Sequence, residues 1–313
     1  MAGSNGLLNT LTEGLKSMGL SMGLRAGNIF LGLKNSTQII IANKKSMAGV
    51  SIIALYVILA FLAPYISPYN PYQTDVSSIL QPPSLQHLFG TDDAGRDLFS
   101  ENMYAIWTSL IVGLFATLVT VVVGTVVGLA SGYYGGVLDE VLMRVTDFLL
   151  IVPPVMLMIV IGALLGSSLV NIILVIGLLS WSPIARVVRS MVLTVKEWPF
   201  VEASRAMGAG DKLIMFKHVF PIIAPVVFAN SMLSVANAIF SHAALLFLGV
   251  GNINDISWGT ILHFAYTSGS FTAGYWWYFT PPGIMLLGLV VGFMLLGVGL
   301  EETCNPRLRV KQL

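Results

Sequence analysis

Apolar runs too long for a soluble helix recur along the chain, separated by segments rich in proline, glycine and charge. A helix crossing a hydrocarbon core ~30 Å thick needs about 20 mainly apolar residues. Met47 to Ile66 is the first such run, closed by Pro64, Pro68 and Pro71, and Ile106 to Gly132 is the second. From Phe148 to Ala185 no charge occurs, and one helix of that length overshoots the bilayer. The chain must therefore fold back, and Gly166-Ser167-Ser168 is the natural turn. Spans three and four then run from Leu142 to Leu165 and from Leu169 to Val188; Ile222 to Val250 is the fifth and Pro282 to Leu300 the sixth. The expected fold is all-α, a membrane protein of six transmembrane helices. Its parts are an N-terminal tail (1–45), a first span (46–66), a proline-rich outer loop (67–105), a five-helix core (106–300) and a C-terminal tail (301–313). The core includes a cytoplasmic loop (195–221) and an outer loop (251–279).

Composition removes the alternatives. Of 313 residues, 56% are hydrophobic and 10% charged, with mean hydropathy +0.83. Soluble domains carry about 25% charged residues, so a water-soluble enzyme is excluded, and high hydrophobicity at net charge +1 excludes disorder. Cys304 is the single cysteine and cannot form an internal disulfide. Four scattered histidines supply no metal-ligand spacing, so no metal and no nucleic-acid partner is expected.

Orientation follows from basic residues, which collect in short cytoplasmic loops. With the N-terminus inside, 15 of the 16 Lys and Arg residues face inward and only Arg96 lies outside. A multi-pass protein of the cell membrane with both termini cytoplasmic is expected. The first 45 residues lack the compact apolar core of a cleaved signal peptide. Leu7, Leu11, Leu15, Met18 and Met22 share a helical face, yet Gly14, Gly19, Gly23 and Gly27 favour a loose tail.

Polar residues inside the spans are few. Asp139, Glu140, Arg144 and Asp147 cluster at the inner end of span three, where Glu140 and Arg144 are spaced to pair. His242 stands alone. Gly124, Gly128, Gly132 and Gly136 recur every four residues, the spacing that lets helices approach closely in lipid. Pro153-Pro154 should kink span three. Tyr275, Trp276, Trp277 and Tyr278 are expected in the outer interfacial belt, and Trp258 likewise. On span five, Asn230, Ser234, Asn237 and Ser241 form one helical stripe. Such neutral polar groups must face another helix or water, so the stripe is a candidate solute pathway or an interhelical bonding surface.

Between spans four and five the pattern changes. Pro199 suits a helical first turn, Gly208 a left-handed terminus, Asp211 an N-cap and Pro221 a stop. The loop is expected to be a helix, a glycine turn and a second helix, shaped to enter a socket on another protein. Glu202-Ala203-Ser204, three residues, then Gly208, ending in Phe220-Pro221, resembles the "EAA" loop of binding-protein-dependent ABC importer permeases. Ser204 stands where that consensus has alanine, Phe220 where it has leucine, and His218 where it has isoleucine. Further segments narrow the resemblance to the C-type subunits of dipeptide/oligopeptide permeases. They are Phe89-Gly-Thr-Asp-Asp-Ala-Gly-Arg-Asp97, Gly132-Tyr-Tyr-Gly-Gly136, Ala243-Ala-Leu-Leu-Phe-Leu-Gly249, Ser257-Trp-Gly259 and Asn305-Pro-Arg307, in family order over roughly residues 45 to 309. Val298 departs from the aspartate common there.

The resemblance implies a type I ABC importer permease fold with a cytoplasmic coupling helix. Glu202 and Arg205 would make polar contacts with an ATPase subunit, Ala203 would pack closely, Gly208 would make the turn, and Ser204, Asp211 and Pro221 complete the coupling loop. The implied partners are a homologous B-type permease, two cytoplasmic ATP-binding subunits, an extracellular solute-binding protein and the lipid bilayer. The chain has no Gly-x-x-x-x-Gly-Lys-Ser/Thr loop, so ATP and Mg are expected on the partner ATPases, with no cofactor and no enzymatic activity in this chain. Di- or oligopeptides are the implied cargo; relatives also carry oligosaccharides or nickel complexes. An ion-coupled secondary transporter would need a midplane ion site, and the spans carry no midplane charge.

Overall fold

A computed structural model describes residues 43–304; the N-terminal stripe of leucines, the Asn305-Pro306-Arg307 motif and both tail ends lie outside the described residues. Helix α1 spans Lys44–Ile66, α2 Leu98–Tyr134, α3 Gly136–Ile151, α4 Pro154–Leu165, α5 Leu169–Leu179 and α6 Ser182–Val195. Helix α7 spans Pro199–Ala206, α8 Asp211–Phe247, α9 Trp258–Thr267 and α10 Trp276–Cys304. Among the described residues five helical runs are long and apolar enough to cross a membrane, and the α3–α4 pair makes a sixth if counted as one bent span.

Helix α2 is the central post, packed by α6, α8, α5 and α1, while α10 closes the bundle against α1 and α8. Three apolar clusters stack along it. Leu98, Ile106, Trp258, Tyr278 and Leu289 form the one at the N-terminal end of α2. Val112, Met158, Ile176 and Leu245 form the middle one, and Val188, Val192, Val201, Ile214 and Ile223 the one at the C-terminal end of α2.

Several boundaries differ from the sequence reading, each for a local reason. Helix α2 starts eight residues before Ile106, at Leu98, because Asp97 caps it by accepting from the Ser100 amide at 2.9 Å. Span three is broken rather than kinked: α3 and α4 meet at 94°, since Pro153 and Pro154 remove two consecutive amides from one turn. Span four turns at Gly166 as expected, with Ser168 capping α5, but a second break at Ser180-Trp181 precedes Pro183. Pro221 does not stop a helix. Helix α8 runs through it, because the six residues Ile214–Val219 are π-helical and the Phe220 amide bonds the Met215 carbonyl. The missing proline amide thus falls where the ladder is already changing register.

The glycine stripe serves packing inside the chain. A Cβ on Gly128 would lie 2.6 Å from the Ala185 carbonyl oxygen, and on Gly124 2.8 Å from that of Trp181, so both glycines admit the backbone of α6. Gly136 does not belong to this contact: it sits at φ +57° in the turn into α3, with open space beside it. A second glycine face joins α10 to α1: Gly292 of α10 receives Ile52 of α1, and the Tyr56 hydroxyl donates to the Met285 carbonyl at 2.8 Å.

The aromatic belt is only partly a belt. Trp276 is exposed, but Tyr278 is fully buried and donates to Asp93 Oδ1 at 2.6 Å. Trp258 is also fully buried, edge-on to Tyr56. Both are core residues beneath the loop between α1 and α2. That loop is built by the Gly90–Asp97 segment. Asp92 accepts from the Ala94 and Arg96 amides and from Arg96 Nε at 2.6 Å, and Arg96 Nε also reaches Glu101 at 3.2 Å. Burial pushes the Asp92 carboxyl above its ordinary range, against the pull of Arg96. His87 pairs with Asp97 at 2.9 Å and stacks on Tyr69.

Candidate functional site

Two regions carry the chemistry the sequence singled out: the loop between α6 and α8, and the cavity beside the stripe on α8.

In the loop, Trp198 is extended at the N-cap, Pro199 opens α7, and two residues anchor that helix. Val201 is fully buried in the cluster at the C-terminal end of α2, and Ser204 is buried with its hydroxyl bonded to the Phe200 carbonyl at 2.8 Å. Their three-residue spacing leaves Glu202, Ala203 and Arg205 on the free face. Gly208 adopts φ +87° with nothing within 4 Å of a would-be Cβ, so the backbone alone demands glycine here. Asp211 is the first residue of α8 rather than its cap; Gly210 is the cap. Pro221 is exposed on the first turns of the same helix. Around these lie exposed Trp198, Phe200, Met207, Leu213 and Phe216, with Met207 80% exposed. The loop therefore presents an apolar collar around two charges, a surface unlike ordinary solvent-facing protein.

Residues outside the loop hold it. The Tyr133 hydroxyl, at the end of α2, donates to Asp211 Oδ1 at 2.8 Å, and the Arg205 guanidinium lies 5.8 Å from the Tyr133 ring centre. Lys196 Nζ donates to the Gly132 carbonyl at 3.0 Å. Asp139 takes Arg189 in a forked pair at 2.6 and 2.5 Å, and Asp147 takes Arg186 at 2.6 Å. The expected Glu140–Arg144 pair forms at 3.7 Å but is exposed. The acidic cluster of α3 thus mainly ties α3 to α6. Sequence spacing could not supply Tyr133, Lys196 or Arg189, since each partner lies 50 or more residues away.

The stripe faces a cavity of about 400 Å³. Asn230, Ser234, Asn237 and Ser241 line one side; Pro154, Ser180, Ser182 and Pro183, from the two helix breaks, line another. The Asn230 amide donates to the Val226 carbonyl at 3.0 Å and the Ser234 hydroxyl to the Asn230 carbonyl at 3.1 Å, so both bond within their own helix rather than across to a neighbour. Asn237 is exposed. His242, next to the stripe, is buried on the other side and does not line the cavity.

The chain matches the family of binding-protein-dependent transport system inner membrane components over residues 124–310. It also matches the N-terminal TM domain of oligopeptide transport permease C over residues 37–83. It is 35% identical over 269 residues to the dipeptide transport system permease protein DppC of Alkalihalophilus pseudofirmus, covering 85% of this chain and 87% of that protein. It is 34% identical over 269 residues to the oligopeptide transport system permease protein OppC of Bacillus subtilis, covering 86% and 87%. A chain of the MetNI methionine ABC transporter in inward-facing conformations superposes with a TM-score of 0.51 at 20% identity, covering 66% of this chain and 96% of that one. At that identity the likeness concerns the fold alone, which is that of a type I importer permease.

Proposed function

Because the chain belongs to the family of binding-protein-dependent transport system inner membrane components, and within it to the C-type permeases of dipeptide and oligopeptide ABC importers, we propose a specific division of labour within that importer. This chain is one half of the membrane channel, and a homologous B-type permease is the other. Two cytoplasmic subunits bind ATP and Mg and carry out hydrolysis, and an extracellular solute-binding protein delivers the peptide. Both termini lie in the cytoplasm, as the distribution of Lys and Arg supports.

The observation that carries this reading is the α7 loop: anchored by Val201 and Ser204, turned by Gly208, and surrounded by exposed apolar side chains. Such a collar needs a protein partner to cover it, and the ATPase subunit is the partner that fits a permease without a phosphate loop. Glu202 and Arg205 supply its polar contacts. The link from Arg205 and Asp211 through Tyr133 to α2 makes the loop move with the bundle. Closure of the ATPases on ATP then draws the coupling helices together and opens the bundle outward; hydrolysis resets the inward-facing state. A partner shifts such an equilibrium only through contacts that differ between the two states, and the α7 collar is where the ATPase makes them. The cavity beside Asn230, Ser234, Asn237 and Ser241 is the path the peptide takes.

Purification of the tagged chain in mild detergent, followed by uptake of labelled peptide in proteoliposomes, tests the reading. Co-purification of a second permease and Walker-motif ATPases, with ATP-dependent uptake, is the expected result. Recovery of the chain alone, also after crosslinking in intact membranes, would refute it.

A further inference from the structure

The loop between α1 and α2 carries a second cavity, polar and of about 260 Å³, that the packing of the bundle does not use. Asp75, Asp97, His87, Gln73 and Gln86 line it, and no Lys or Arg does among the described residues. Gly95 lets it form: its φ is +75°, and a Cβ there would collide with the Asp75 carbonyl oxygen. The Asp75 carboxylate is exposed and fixed. Its Oδ1 accepts from the Ser77 hydroxyl at 2.7 Å and amide at 3.0 Å, and its Oδ2 from the Ser78 hydroxyl at 2.9 Å. These bonds hold it below the ordinary carboxylate range, so it is charged at neutral pH. His87 is only 9% exposed; Asp97 Oδ1 takes its Nδ1 at 2.9 Å, and Tyr69 stacks on its ring. Nε2 is left without a partner among the described residues. With Nδ1–H donating to the carboxylate, the neutral ring presents Nε2 as an acceptor. Beside these acceptors stand Leu85, 100% exposed, and Val76, 82% exposed. The turn carrying Leu85 is closed by two bonds, from the Ser84 amide to the His87 carbonyl at 2.8 Å and from the His87 amide to the Ser84 hydroxyl at 3.1 Å. A leucine held wholly in water is stabilised by being covered.

We propose that this face of the loop is the docking point of the solute-binding protein: a Lys or Arg side chain of that protein enters the cavity to reach Asp75 and His87 Nε2, and an apolar recess beside it covers Leu85 and Val76. The proposal rests on the importer reading above, which sets this loop on the outer side, and names the part of the chain that meets the partner. Charge selects the occupant. Residues 67–97 hold four aspartates and one arginine, and that arginine, Arg96, is engaged by Asp92 and Glu101. The excess of acid attracts a basic protein surface and speeds encounter with it, whereas a lipid phosphate is repelled. Lys and Arg carry N–H donors and no acceptor, which matches a cavity whose fixed groups accept. Their long apolar stems also suit a polar pocket flanked by Leu85 and Val76.

The test uses the complete importer. The photocrosslinker p-benzoylphenylalanine replaces Leu85 in cells, and the adduct formed on illumination is identified by mass spectrometry. The expected adduct is a solute-binding protein, joined close to a Lys or Arg on its surface. An adduct with lipid or with the second permease alone would overturn the proposal. The captured binding protein is then titrated onto wild-type and variant importers in nanodiscs. Asp75→Asn and Leu85→Ser, both at exposed positions, are each expected to weaken binding about tenfold while leaving ATP hydrolysis without binding protein unchanged. Added salt should weaken the wild type more than Asp75→Asn, since only the wild type keeps the ion pair that salt screens. Unchanged affinity of Asp75→Asn, or the same salt dependence for both, would overturn the ionic contact. A wild-type importer that takes up no peptide on ATP with any binding protein would instead overturn the importer reading on which the proposal rests.

Discussion

Replacing Arg96 by methionine isolates the charge arrangement that holds the α1–α2 loop on the bundle. The Arg96 side chain is 20% exposed, whereas those of Asp92 and Glu101 are 0% and 3% exposed, and a single Nε serves both carboxylates at 2.6 and 3.2 Å. Methionine keeps the length and the packing of the stem, which lies 5.5 Å from the Phe264 ring centre at its guanidinium end, and deletes the charge. Two carboxylates are then left without a cation in a nearly dry site. Breaking a buried pair by removing one partner costs about 3–5 kcal/mol. The lower end applies here, because Asp92 keeps its hydrogen bonds from the Ala94 and Arg96 amides. A loss of about 3 kcal/mol corresponds to a fall of roughly 5 °C in Tm for a chain of 313 residues. Thermal unfolding of the purified complex in detergent, followed by intrinsic tryptophan emission, reports it. The triple variant Arg96→Met with Asp92→Asn and Glu101→Gln removes the stranded charges and should recover most of the loss. If Arg96→Met melts within a degree or two of wild type, the carboxylates are not relying on Arg96 and the reasoning fails.

Three further outcomes follow from the packing. Gly128→Leu should push α2 off α6, since even a Cβ there lies 2.6 Å from the Ala185 carbonyl oxygen; overpacking of about 1–3 kcal/mol or more should appear as lower yield and lower Tm, with Gly136→Ala far milder in packing terms. Met207→Glu places a charge on the most exposed apolar residue of the collar; ATPase co-purification should fall while the permease pair stays intact, and unchanged co-purification would remove α7 as the docking site. Tyr133→Phe deletes one hydrogen bond to Asp211, worth about 0.5–1.5 kcal/mol. It should raise ATP hydrolysed per peptide transported with little change in Tm, and an unchanged ratio would mean the link does not transmit motion.

How much of this was legible beforehand differs from one element to another. The spans were legible because lipid imposes one rule, that backbone polar groups be satisfied within the segment, and that rule writes itself as apolar length. The fold-back at Gly166-Ser167-Ser168 was legible for the same reason. So were the helical form of α7 and the turn at Gly208, whose φ of +87° few residues other than glycine adopt. The ordered segments from Phe89 to Gly259 pointed to the family.

Tertiary structure decided what those residues touch. Pro153-Pro154 announces a disturbance in any sequence, but whether it is a shallow kink or a 94° break depends on what packs on either side. Pro221 reads as a stop, yet Ile214–Val219 can widen into a π turn because Ile214 and Val219 are fully buried against α6 and α7, which hold the helix on course. Trp258 and Tyr278 read as interface residues by position, and became core because the α1–α2 loop folds over them. Arg96 reads as an exception to a charge rule; in the fold it compensates two buried acids. The stripe on α8 showed that polar groups needed a partner, without saying whether that partner was protein or open space. Periodicity is a property of one helix and reports which face is polar; the neighbour of that face is set by contacts between residues tens of positions apart, which no local pattern encodes.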